Sequence, residues 1–101
     1  MNVLYLDQMN SAAEQACRLM KVLSNPDRLK ILCQLSTGEL RVGEIEETLG
    51  IGQPTLSQQL TVLRDEELVE TRREGKSIYY KVKSPKALAV IEILYEHFCK
   101  S

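Results

Sequence analysis

Three observations predict a mainly α-helical fold carrying one small β-hairpin. Apolar residues recur at helical spacing through most of the chain, as at Leu56, Leu60 and Leu63 (i, i+4, i+7). Gly50-Ile51-Gly52 breaks two short helical patterns apart, at a point where glycine supplies the left-handed exit of a tight turn. Beyond Leu68 the period falls to two: Ile78, Tyr80 and Val82 alternate with Ser77, Tyr79 and Lys81. The expected order is α-α-α-α-β-β-α, a winged helix-turn-helix filling residues 1–101 as a single domain.

Taken in order, Met1 to Asn10 reads as a poorly ordered arm. Ser11, with Glu14 three positions on, has the pattern of a capping box and is expected to start the first helix, about 11–23. Its stripe of Ala12, Ala16, Leu19, Met20 and Leu23 begins with small residues that allow close helix approach, which suits a subunit interface. Asn25 and Pro26 are a good N-cap and first residue for a second helix. Leu29, Ile31, Leu32, Cys33 and Leu35 make that helix apolar nearly all round, hence central. Glu39 to Val42 reads as a link.

The helix-turn-helix is expected at about 42–64. Ile45 and Leu49 point the first of its helices inward. Gln53-Pro54 opens the second, with proline in the first turn. Opposite its leucine stripe lie Pro54, Gln58, Thr61 and Val62, with Thr55 and Ser57 at the margins. No acidic residue interrupts Gln53 to Leu63. Amides and hydroxyls both donate and accept, so Gln53, Thr55, Ser57, Gln58 and Thr61 are the candidate readers of base edges in a DNA major groove. The hairpin, about 68–83, turns at Glu74-Gly75-Lys76. A hairpin directly after a reader helix is a wing. Arg72, Arg73 and Lys76 crowd its tip and are candidates for phosphate contact. Ser84-Pro85 begins a last helix, about 85–99. Leu88, Ile91, Leu94, Tyr95 and Phe98 line one side, and Val90 and Ile93 widen the stripe towards a second subunit.

Composition narrows the function. A net charge of −1 means that DNA affinity must come from local basic clusters, doubled in a dimer. No apolar run approaches the roughly 20 residues of a membrane span, and the first residues lack a basic leader region. A cytoplasmic protein is expected. In a reducing compartment the three cysteines are buried thiols, metal ligands or redox sensors rather than structural disulfides. There is no CxxC, no Cys/His/Asp constellation and no glycine-rich cofactor loop, so neither catalysis nor a cofactor is expected.

Leu23 to Leu35 (LSNPDRLKILCQL), Glu39 to Val82 and the final helix resemble the ArsR/SmtB family of small bacterial winged-helix repressors, over about residues 12 to 99. The resemblance implies a homodimer, with the first and last helices in its interface, bound to an imperfect inverted repeat in operator DNA. It also implies an inducer that weakens that grip. Where many metal-sensing members carry a cysteine-valine-cysteine core, this chain has Arg41-Val42-Gly43. The family's other metal site needs several Asp and His residues along the last helix, and the single histidine, His97, reads as a surface residue. No metal site is therefore expected. Cys33 and Cys99 instead resemble the cysteine pair of the family's sulfide- and persulfide-responsive branch. That implies release of DNA when the pair forms a disulfide or sulfur-bridged link, with a persulfide or other oxidant as inducer. Cys17 has no counterpart in the pair and is expected to be buried. Two alternatives stand beside this reading: a metal-responsive repressor using a non-standard site, and a winged helix reused for protein interaction without DNA. Specific binding to one inverted-repeat DNA separates the repressors from the latter.

Overall fold

The computed structural model describes residues 3–100, with side chains from Tyr5 onward. The elements are α1 (Val3–Leu23), α2 (Pro26–Leu35), β1 (Leu40–Arg41), α3 (Val42–Leu49), α4 (Thr55–Asp65), β2 (Val69–Glu74), β3 (Ser77–Val82) and α5 (Pro85–Leu94), followed by a π-helical turn, Tyr95–Cys99. The strands form one antiparallel sheet in the order β1-β3-β2. This is the winged helix-turn-helix expected, with one strand more.

Helix α2 is central because its apolar residues take up most of its circumference, leaving only a narrow polar strip of Asp27, Lys30 and Gln34. Ile31, Leu32 and Leu35 are buried, and the helix packs on α1, α3, α4, α5 and β3. Asn25 caps it by accepting from the Arg28 N–H at 3.0 Å, with Pro26 first in the helix. Around it gather Ile45 of α3, Leu56, Leu60 and Leu63 of α4, Leu68 and Val69 at the start of the wing, and Ala87 and Ile91 of α5. Ser84 caps α5, accepting from the Ala87 N–H at 3.1 Å.

Three expectations need correction. Residues 3–10 are helical, so α1 starts at Val3 and not at Ser11. Nothing in that stretch breaks a helix, since it lacks glycine and proline. Mid-helix, the Ser11 hydroxyl accepts from Gln15 one turn on, at 3.4 Å, instead of capping. The link at Glu39 to Val42 contains β1, in which Leu40 pairs with Tyr80 and Arg41 with Tyr79. Val62 does not stand outward on α4; it is partly buried against the core.

Candidate nucleic-acid interface

The turn of the helix-turn-helix is made by Gly50, which takes φ 66° as the left-handed exit of α3. At the entry to α3 the Glu44 carboxylate accepts from the Arg41 N–H at 3.0 Å. That bond, with the Arg41 guanidinium, holds the Glu44 carboxyl below the usual range. Pro54 sits at the N-cap of α4, one position earlier than its sequence suggests. Of the orphan donors there, the Leu56 N–H is met by the Gly52 carbonyl at 3.0 Å and the Ser57 N–H by Gln53, whose Oε1 accepts from it at 3.1 Å and also from the Ser57 hydroxyl. The Thr61 hydroxyl donates to the Ser57 carbonyl at 2.8 Å. So Gln53, Ser57 and Thr61 form a ladder along one exposed side of α4, while Gln58 is exposed and Thr55 half-buried. Gln58 bonds no other side chain among the described residues, which leaves its whole amide for a ligand.

The wing separates its basic residues by face. Strand alternation places Arg72 with Glu70 and Glu74, and Arg73 with Val69 and Thr71. Arg72 is heavily engaged: its Nη1 donates to Glu74 at 2.6 Å and its other nitrogens to the Glu39 carboxylate. The guanidinium lies 4.5 Å from the centroid of the Tyr79 ring. These carboxylates push the Arg72 pKa upward, and Arg72 draws that of Glu39 down. Arg73 and Lys76 are exposed and form no ion pair with the described residues. Gly75, at φ 61°, makes the first residue of a two-residue turn that carries Lys76 to the tip.

The thiols lie outside the reader helix and the wing. Cys33 is half-buried on α2 and Cys99 exposed in the π turn. Burial pushes the Cys33 thiol up, and the negative charge of a Cys99 thiolate raises it further. Cys17, expected to be buried, is exposed on α1. His97 is exposed in the π turn. Among the described residues no three of His, Cys, Asp or Glu converge as a metal site requires.

Two further residues, Arg28 and Gln59, join the site without having been singled out by sequence reasoning. The Arg28 guanidinium, partly buried, donates to Gln59 of α4 at 2.9 Å and to the Val22 carbonyl at 2.7 Å. The available signal is a cation in the first turn of a helix, where the dipole disfavours it.

A reader helix with an exposed polar side and no acidic residue up to Leu63, followed by a hairpin with unpaired cations, defines a winged helix-turn-helix DNA-binding protein. The chain belongs to the arsR family of bacterial regulatory proteins, whose model matches residues 25–71. It is 48% identical over 93 residues to the Biofilm growth-associated repressor of Xylella fastidiosa, spanning 92% of this chain and 82% of that protein. The solved structure of reduced HlyU from Vibrio cholerae superposes with a TM-score of 0.88 at 39% identity, covering 92% of this chain and 98% of that one. The solution structure of a homodimeric winged helix-turn-helix DNA-binding domain from Mycobacterium bovis superposes at 0.76 with 32% identity, covering 90% and 84%. The chain is thus a DNA-binding regulator. Among the described residues no helix is long and apolar enough to cross a membrane.

Proposed function

We propose that this chain is a homodimeric, cytoplasmic transcriptional repressor that holds an inverted-repeat operator and releases it when Cys33 and Cys99 become covalently joined. Gln53, Thr55, Ser57, Gln58 and Thr61 read the operator, and Arg73 and Lys76 hold phosphates beside it. The repressing role is the one carried by the name of the Xylella relative. Dimerisation is supported by α1, whose side chains from residue 5 to residue 18 are all exposed in the single chain. A helix whose side chains are that exposed gains little from burial within its own subunit, and a second copy gives it a surface.

The observation that supports the sensing step is that charge on Cys99 is felt at the half-buried Cys33 thiol, each cysteine lying on an element with a part in the proposed DNA binding. Cys33 lies on the helix that supports α4; Cys99 ends the helix expected in the dimer interface. The exposed Cys99 thiolate takes the outer sulfur of a persulfide, and the donor leaves as a thiolate. The Cys33 thiolate then attacks the Cys99 sulfur and expels hydrosulfide. The pair is oxidised by two electrons to a disulfide as the sulfane sulfur is reduced to sulfide. Retention of further sulfur atoms gives a longer bridge, which relaxes the narrow Cα separation of about 4.4–6.8 Å that a direct disulfide demands.

The test is operator release by persulfide, with intact mass recorded alongside. Cys33→Ser and Cys99→Ser should each bind operator and fail to release it, whereas Cys17→Ser should behave as the wild type does. Release from the Cys33→Ser, Cys99→Ser double variant would remove the pair as sensor. A wild type that ignores persulfide and releases with a metal ion would make the metal-responsive alternative the better reading.

A further inference from the structure

Helix α1 and the reader helix α4 are joined by two polar ties. Near the end of α1 the Val22 carbonyl is one of the acceptors that a helix C-terminus leaves unpaired. Arg28, in the first turn of α2, fills it through Nε at 2.7 Å and at the same time donates through Nη1 to Gln59 Oε1 at 2.9 Å. Arginine can serve two acceptors at once because its donors are fixed in a planar fork; a lysine in the same place offers a single point. A cation is locally unfavourable in the first turn of a helix, so the tertiary bonds are what hold Arg28 there. The second tie joins Arg18 of α1 to Glu66, the C-cap of α4, at 2.8 Å with a longer contact at 3.4 Å.

Gln59 and Glu66 are seven residues apart, about 10 Å along the helix axis. One tie would leave α4 free to swing about it. Two ties separated along its length fix its direction relative to α1. Gln59 adjoins Gln58, so the same bond also sets the roll of the helix and the aim of its outward face. The two ties differ in strength. The Arg18 side chain is exposed and its ion pair is screened by solvent, while the Arg28 bonds are partly buried and charge-assisted.

We infer that Arg28 and Gln59 are positioning residues for operator recognition: they lock the reader helix to α1 and so set the distance between the two half-sites that a dimer can engage. The inference rests on the dimeric operator reading above. In a dimer built through α1, the orientation of α4 relative to α1 decides where the two reader helices fall. Half-sites on one face of DNA lie about 34–36 Å apart per helical turn, so a small swing of α4 changes which spacing fits.

The experiment is binding-site selection from a random duplex DNA library, followed by affinity measurements on the selected half-sites with the spacer lengthened or shortened by one base pair. The proteins are the wild type, Arg28→Lys, Gln59→Met and the double variant. Arg28→Lys keeps the charge and Gln59→Met keeps the volume, and both are checked for folding by thermal melting. The wild type should select an inverted repeat with one spacer. Both single variants should select the same half-site sequence, bind the wild-type spacer roughly tenfold more weakly, and lose most of the discrimination against altered spacers. The double variant should be no worse than Arg28→Lys, because the Arg28–Gln59 bond is already lost there. Equal weakening on every spacer with discrimination intact, or spacer discrimination unchanged in variants that fold, would overturn the inference while leaving the dimeric reading in place. A wild type that selects no inverted repeat would sink the dimeric reading and this inference with it.

Discussion

Gln58 is the side chain on α4 best placed to read a base. It is exposed, and its neighbours Gln53, Ser57 and Thr61 spend bonding capacity on one another and on the helix. Gln58→Ala should cost about 1–3 kcal/mol on the preferred operator and relax preference at one position. Competition among operator point variants measures this, and an unchanged ranking would put the readout elsewhere. The environment of Cys33 makes a second, kinetic prediction. Burial raises its pKa, so the thiol is protonated near neutrality and the attacking thiolate is scarce. Bridge closure should therefore speed up roughly tenfold per pH unit until the raised Cys33 value is reached. A closure rate that stays flat from about pH 7 to about pH 9 would show that Cys33 is not the resolving nucleophile.

The wing divides labour between neighbouring arginines. Arg73→Gln or Lys76→Gln should weaken binding to all DNA and flatten the salt dependence by ~1 per lost contact in each subunit. Arg72→Gln should leave the slope nearly unchanged and speed amide exchange in the wing, because Arg72 is committed to Glu39, Glu74 and the Tyr79 ring. A slope change as large as that of Arg73→Gln would show that Arg72 reaches phosphate. The Glu39 carboxyl has a folded pKa below its ordinary value, so its contribution is present above the ordinary carboxylate range and fades as pH falls through the lowered value. Much of this architecture was legible in the chain itself. The leucine stripe of α4, the glycine exit of α3 and the alternation of β3 are local patterns, and each element stands where its pattern lies. What stayed hidden depends on partners distant in sequence. The two residues of β1 become a strand only because β3 is there to pair with them. Glu39, the carboxylate that engages Arg72, lies 33 positions before it. Ser11 carries a valid capping pattern that a longer helix overrides.

The whole molecule measures 54 × 35 × 22 Å, and its apolar residues are not all spent on its own core. Met20 is 58% exposed, Ile93 59% and Phe98 81%, on the two helices that the dimeric reading places together. Ile93→Glu or Phe98→Ser should shift the protein towards monomer in sedimentation and reduce operator affinity with it. A variant that stays dimeric would exclude that residue from the interface. Within each subunit, β1 joins the sheet directly before α3 begins, so the wing is hydrogen-bonded to the base of the helix-turn-helix as well as following it in sequence. A hairpin attached only through a flexible linker would find its phosphates as a separate event, diluted by the volume the linker lets it explore. Here the stiff connection brings the wing to the backbone in the same encounter that seats the reader helix. Half-detached states are then sparsely populated, and a subunit should leave its half-site in one kinetic phase.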